Sequence, residues 1–567
     1  MFCPNCGNSL SETAKFCNKC GAPVGEPGQS QPVKKRPIWP KIVIPVAIVA
    51  VVVVVAFAFG RDRIENFIKL HTMSPKDYYA YVEKKNITGA TDAMLNSYER
   101  AYKLMEDKKY GYEEDVSVEV GEQVAQLVAM SGIDISKLKS LDFHSQSGVK
   151  DHEIMAVGQI GINGTDILTA ELYFDTDNGE YYIRCPQIND GYIDCTSIMR
   201  EAYGEASEEM GDYKELKGEK VFKAFTQNAS DFLPKPEKVR GVVDELMDGA
   251  FDAVGDVKKS SEKLEVGSIS SKYTVLELNL DGDDYQEAIE NELDTAEDNK
   301  DIKEYLDRVE DLTGDEDLSS EYYDSIKDTR EELKENPAVQ DTDVKVNMKV
   351  YVDDVGEVRG REVTITNGEE SVSYYNLMPM KGSKFEYECR LNYNGQDVFD
   401  ITGKGKKSGG KLSGDFDVAV DPEMMPSEVS SYVYSMSSVL SIKVKDFDEK
   451  KLENGLVSGK FSVSTTVPLL SVYSLNFDVD QTEKGGSCKI TCNQADEVLL
   501  AINSTLKESG APKVDKPSSS DKVYDASNSE DMSSYIGDYD AIYSLLSTIS
   551  EMTGIDIMSL LELGGMY

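Results

Sequence analysis

The sequence predicts an α+β protein, and three observations carry that expectation. Five Asn-Gly dipeptides, at Asn163, Asn178, Asn367, Asn394 and Asn454, recur between stretches in which apolar and polar residues alternate, the pattern of antiparallel hairpins. A charged tract from about 208 to 335 places Val239, Val242, Leu246, Ala250, Ala253 and Val257 three to four residues apart, as on one face of a helix. Strand-like and helix-like runs are grouped instead of alternating, so the sheets are read as antiparallel with helices on one face. A curved, half-barrel-like sheet wrapping its helices is the preferred arrangement.

The first 60 residues have a different character. Cys3-Pro-Asn-Cys6-Gly7 and Cys17-Asn-Lys-Cys20-Gly21 are two Cys-x-x-Cys pairs, each followed by glycine. Four thiolates close a tetrahedron around Zn²⁺ and leave no open coordination position, so Cys3, Cys6, Cys17 and Cys20 are read as ligands of one structural zinc. A head of about 24 residues buries too little core to fold unaided, and the metal supplies what is missing. Two disulfides or free thiols are the competing reading.

Residues 25–41 are rich in Pro, Gly, Gln and Ser and turn basic at Lys34, Lys35, Arg36 and Lys41. They are read as a flexible basic linker. Ile42 to Phe59 carries no charge over 18 residues, about 27 Å as a helix, close to the hydrocarbon thickness of a bilayer. Residues 42–60 are therefore expected to be one transmembrane helix, with Trp39 at the interface. A cleaved signal peptide ending near Ala56-Phe57-Ala58 is the alternative. Four cations before the span face Arg61, Arg63 and Lys69 after it, nearly a tie for orientation. The thiolate head needs a reducing compartment, which puts the N-terminus in the cytoplasm and the body outside.

The chain carries 103 acidic against 60 basic residues, a net charge of −43. Residues 1–60 hold six lysines and arginines against two acids, +4, which leaves 54 against 101, or −47, beyond them. A body so acidic repels phosphates, and no nucleic acid is expected as its partner. Dispersed acids of this kind mainly keep a surface soluble.

Just past the span, Ser74-Pro75 signals a helix start for residues 76–85, and a second helix is expected over about 88–105. Residues 61–111 are read as juxtamembrane helices and 112–567 as the α+β domain. Val116, Val118 and Val120 open its strands. The clearest hairpin runs from Val344 to Val352 and returns through Val363 and Ile365, one face buried and one wet. A shorter hairpin, near Lys263 to Leu280, interrupts the helical tract. Met130-Ser-Gly-Ile-Asp134-Ile-Ser-Lys-Leu138 is echoed by Met552-Thr-Gly-Ile-Asp556-Ile-Met-Ser-Leu560, read as a helix ended by glycine and followed by an Asp N-cap that opens another short helix, an elbow used twice. Cys185 and Cys195 flank Asn189-Asp190-Gly191 and could face one another across a hairpin.

Nothing in the chain names a catalyst. His71, His144 and His152 are the only histidines, and none lies in an H-E-x-x-H arrangement. Asp175 to Glu180 imitates a calcium loop, but its glycine comes one place early. Gly403 to Lys411 is glycine-rich and basic yet lacks the order of a phosphate loop, and it is read as a hairpin tip. The body is accordingly expected to be no enzyme, with no catalytic or cofactor-binding residue beyond the zinc ligands.

The cysteine motifs resemble the short zinc ribbons at the N-terminus of bacterial single-span membrane proteins, with CPxCG and CxxCG both complete over residues 1–24. The segment Ser74-Pro-Lys-Asp-Tyr-Tyr-Ala-Tyr-Val-Glu-Lys-Lys-Asn86 resembles the start of the extracytoplasmic region in uncharacterised zinc-ribbon-headed single-span proteins of Gram-positive bacteria, a likeness that implies no activity. The sheet-plus-helix pattern is similar to the half-barrel of bacterial lipoprotein carriers, as fold analogy alone. The expected function is a single-pass cell-membrane protein whose cytoplasmic zinc ribbon is an interaction module. Its partners would be the lipid bilayer, a protein bound by the ribbon, and an extracytoplasmic ligand, specifically a hydrophobic one. An envelope scaffold, or an acidic hydrolase of envelope polymers, is the alternative.

Overall fold

A computed structural model describes residues 63–557 apart from 107–108, 200–232, 253, 314–316, 336–343, 422–436, 466–471 and 538. The expected zinc ribbon, basic linker and transmembrane helix all fall at residues 1–62, outside the described residues. Among the described residues no helix is long and apolar enough to cross a membrane.

The chain opens with α1 (Arg63–Thr72) and α2 (Pro75–Glu106), followed by β1 (Gly111–Val120) and α3 (Glu122–Ala129). A meander follows: β2 (Ser140–Lys150), β3 (Glu153–Ile162), β4 (Thr165–Asp175), β5 (Glu180–Cys185) and β6 (Asn189–Asp194). After α4 (Pro236–Asp252) come β7 (Val257–Val266) and β8 (Ile269–Asp281), then three helices, α5 (Gly282–Asp298), α6 (Lys300–Thr313) and α7 (Leu318–Glu335). The longest meander is β9 (Val344–Val352), β10 (Val358–Asn367), β11 (Glu370–Leu377), β12 (Met380–Lys381), β13 (Lys384–Tyr393), β14 (Gln396–Ser408), β15 (Lys411–Val420) and β16 (Ser437–Asp448). It continues through α8 (Glu449–Glu453), β17 (Ser458–Thr465), β18 (Tyr473–Thr482), β19 (Gly485–Gln494) and β20 (Glu497–Ser509). β21 (Val523–Asp525), α9 (Ser529–Ile536) and α10 (Tyr539–Thr553) complete the described chain.

The α+β expectation, with separate antiparallel sheets and helices on one face, is corrected here. The described residues are mostly strand, and their 21 strands form one sheet. Sequential neighbours pair from β7 to β20, with the two-residue β12 attached to β13 alone. β20 then pairs with β1, and the order runs on through β6. β6 and β21 run parallel, which makes the sheet mixed. The stitch is β1 against β20, Gly111↔Ser509 to Val120↔Leu500. Its partners lie far apart in sequence, and no local periodicity signals such a pairing.

α2 is one helix, not the two expected. Ser74 caps it, its hydroxyl accepting from the Asp77 amide at 3.1 Å. The helix runs through Gly89, a residue that disfavours helix by about 1 kcal/mol, because both halves are held by packing. Tyr78, Tyr79 and Val82 are buried against Leu276, Leu278, Val350, Val352 and Val358 of β8–β10. Farther along, Asn96, Ser97 and Arg100 donate to the carbonyls of Glu453, Gly455 and Asn454 at the end of α8 and just past it. The tyrosine stripe is thus core, as its spacing favoured.

The expectation of one wet face on the β9–β10 hairpin fails at its turn end. There the sheet rolls over, and a second core of Leu264, Val266, Tyr273, Val275, Tyr351 and Leu377 fills the other face. The Met380 amide donates to the Tyr273 hydroxyl at 2.9 Å and Ser271 donates to the Met380 carbonyl at 2.8 Å, which brings β8 against β12. The helix expected through Val257 ends at Asp252, and Val257 opens β7.

The glycine turn of the repeated elbow forms in both copies, but the short helix expected after Asp134 is only a turn, and the second copy is described only as far as Ile557. Gly132 and Gly554 end their helices at φ 90° and 83°, the left-handed position glycine occupies without steric cost. The two copies meet: the Asn163 side-chain amide donates to Lys137 O at 2.9 Å and to Met552 O at 3.4 Å.

Of the Asn-Gly signals, Asn163-Gly164 and Asn394-Gly395 have both residues at positive φ, as a type I′ turn requires. Asn454-Gly455 instead ends α8. Cys185 pairs with Asn189, whereas Cys195 sits opposite Tyr181, and both are free thiols. The bridge considered from the sequence is therefore not formed.

Candidate functional site: an uncharged sheet face and its cleft

Alternation puts every second side chain of a strand on one face, and the register decides whether those residues line up from strand to strand. Here they do. Phe385 of β13 stands opposite Gly405, which faces Gly414 and then Val444. The row continues through Phe461, Phe477, Ile490 and Ile502. It crosses the β20–β1 stitch to Val118 and ends at Leu141 and Ile162 of β3. Eleven strands thus contribute one uncharged position each, a row of about 48 Å at the usual strand spacing.

Glycine within the row has a steric cause. A Cβ on Gly405 would lie 2.2 Å from Ser413 O and 2.6 Å from the Phe385 ring, and one on Gly403 would lie 2.3 Å from Phe416. The Phe385 and Phe416 rings, stacked at 6.1 Å, lie flat over this glycine floor. Gly403-Lys-Gly-Lys-Lys is accordingly strand interior, and only Gly409 and Gly410 make the hairpin tip read from the sequence. Gly405→Val is expected to destabilise the protein by about 1–3 kcal/mol through overpacking; an unchanged denaturation midpoint would contradict this packing.

The row is buried at both ends, at Phe385 and Ile162, and half-buried between them. At the Phe385 end Lys407 pairs with Glu449 at 3.2 Å. Burial pushes the Glu449 carboxyl up to about 7, with Lys407 opposing the shift in part. The unfolded chain ionises near 4.5 and the folded one near 7, so stability falls as pH rises between those values and is level above them. Glu449→Gln is expected to remove up to about 3 kcal/mol of that decline. Denaturation at pH 4.5 and pH 7.5 checks this, and equal slopes for both proteins would contradict it.

Away from that end, Leu475, Leu506, Phe143 and Ile160 are 40–44 % exposed on the same face. The opposite face is polar and internally paired, with Lys460 next to Asp478 and Asp478 next to Lys489 across strands.

The C-terminal half of α2 crosses one bank of the open part and leaves a cleft of about 990 Å³ against β18, β19, β20 and β1. Leu104, Leu456, Val479, Cys488, Leu506 and Tyr112 give it an apolar lining. The volume lies at the upper end of ordinary ligand pockets, and polar and charged side chains line the cleft alongside these apolar ones.

The sequence's other candidates fall elsewhere. Cys3, Cys6, Cys17 and Cys20 lie outside the described residues. His144 is on the polar face, its Nδ1 2.7 Å from Asp115 Oδ1. Glu113 completes a cluster with them in which only Asp115 is exposed, and it is already paired with Lys507 at 2.6 Å. His152 lies beside Asp177 at a hairpin turn. The calcium-loop mimic is a turn, Asp175 accepting from the Asp177 and Asn178 amides. The apolar face was not assembled from the sequence, although Phe461/Val463, Leu475/Phe477/Val479 and Ile490/Cys492 alternate with polar residues and carry its signal.

Residues 2–24 match the zinc-ribbon domain family. That segment contains all four cysteines of the paired motifs, and a zinc ribbon there implies zinc binding. No curated protein and no solved structure matches the chain.

Proposed function

We propose that the protein is tethered to the cell membrane by residues 42–59 and binds acyl-chain ligands along the apolar row of its sheet, without catalysing a reaction on them. The observation that carries this reading is the row from Phe385 to Ile162, free of charge over eleven strands and half open to solvent. Apolar area left in water costs about 25 cal/mol per Å², and extended exposed apolar surface marks a binding site. An acyl chain covers such a floor without bringing backbone polar groups that need partners. The row of about 48 Å compares with about 15 Å for one leaflet of a bilayer's hydrocarbon, so it has room for more than one chain.

The ribbon, with Cys3, Cys6, Cys17 and Cys20 around one zinc, acts on the cytoplasmic side as the attachment point for a protein partner, and the sheet lies outside. The full coordination shell supports a structural metal. Immediately after the tether come α1 and then α2, so the helix that borders the cleft is the second element of the body after the tether. Organic extraction of the purified full chain tests the reading. At least one acyl lipid per chain is expected, and lipid-free protein from lipid-replete cells would overturn it.

A further inference from the structure

We infer that the lipid taken at the cleft is one whose headgroup carries no net negative charge, in chemical class a diacylglycerol or a neutral glycolipid. The inference rests on the acyl-binding reading and adds the headgroup.

An anionic headgroup is held by donors that converge on it unspent: bidentate arginine, lysine, or the amides of a helix N-terminus. Among the described residues the cleft offers no such donor unspent. Its basic residues are Arg100, Lys103 and Lys484, and each is already engaged. Arg100 donates to the carbonyls of Asn454 and Gly455 and to Ser97 Oγ. Lys103 pairs with Glu99 at 2.6 Å and Lys484 with Glu508 at 3.2 Å. Two further acids, Glu114 and Glu483, also line the cleft, so acids outnumber bases there by four to three.

The helix that forms the bank presents its C-terminal half, ending at Glu106. That is the negative end of the helix dipole. Around it the chain beyond residue 60 carries −47, a field that disfavours anions at longer range. Local pairing, helix polarity and net charge all act in the same direction. A hydroxylated, uncharged headgroup can donate to Glu114 and Glu483 without meeting repulsion.

The test uses the full chain in a neutral-lipid nanodisc, with a photoreactive residue replacing Leu506 and a radiolabelled diacylglycerol as probe. Unlabelled diacylglycerol is expected to suppress labelling at a concentration roughly tenfold below that needed for phosphatidylglycerol of the same chains. Equal or stronger competition by phosphatidylglycerol would overturn the headgroup inference and leave the acyl-binding reading standing. E114K/E483K should narrow the preference severalfold, and an unchanged preference in that variant would also count against the inference. Crosslinking of Leu506 to a second copy of this chain, or no lipid labelling from any apolar-face position, would remove the acyl-binding reading itself.

Discussion

Replacing Glu83 by alanine is expected to destabilise the protein by about 3–5 kcal/mol. Glu83 lies on α2 and its carboxylate takes both Nε and Nη2 of Arg361 on β10. Arg361 is 1 % exposed, Glu83 is 4 % exposed, and Arg361 Nη1 has no partner among the described residues. Removing the carboxylate leaves a guanidinium that cannot reach water, which is the expensive half of a buried pair. Glu83→Leu combined with Arg361→Met removes both charges and is expected to recover most of the loss. Chemical denaturation measures all of these. A single-variant loss below 1 kcal/mol would show that α2 does not dock on β10 as described.

The second large effect concerns the ligand. Phe477 and Ile490 face one another across β18 and β19 in the middle of the uncharged row. Phe477→Asp and Ile490→Asp each put a carboxylate on the floor where an acyl chain would lie, and covering that charge without a partner costs several kcal/mol. Lipid recovered with the protein is expected to fall at least about tenfold, the equivalent of 1.4 kcal/mol. Both positions are only half-buried in the free protein, so the carboxylates remain hydrated and folding is largely preserved. Lys489→Gln, between them in sequence but on the opposite face, is expected to leave lipid recovery unchanged. Equal recovery from all three variants would mean that the row is not the binding surface.

Much of the local architecture was legible. Ser74-Pro75 starts a helix, Val344 to Ile365 is a hairpin, and Gly132 and Gly554 end helices as their motif implied, because each rests on residues close in sequence. What failed was the count of sheets. Val118 meets Ile502 and Leu141 only after hundreds of residues have been threaded between the first pair, and no turn residue records that contact. The helical tract also weighed too heavily. Val257 keeps helical spacing by coincidence but is buried beside α2 after α4 has ended.

The site was half legible. Alternation in β17–β20 announces an apolar face on each strand, but alignment across strands depends on register and on the bulges at Leu391/Asn392, Leu412/Gly414 and Cys492/Asn493. Those shifts bring the apolar positions of neighbouring strands into one row. The zinc-ribbon match over residues 2–24 agrees with the reading of that segment as zinc-binding, which rests on cysteine spacing and needs no long-range contact.

The central claim is that one face of this sheet holds acyl chains and the other does not. Its most direct test is a photoreactive amino acid placed at Phe477 in one protein and at neighbouring Asp478 in another, each illuminated in living cells. Phe477 and Asp478 differ by one step along β18 and so by the whole thickness of the sheet. The account predicts lipid adducts from position 477 and none from 478. Adducts from both positions alike, or from neither, would contradict it.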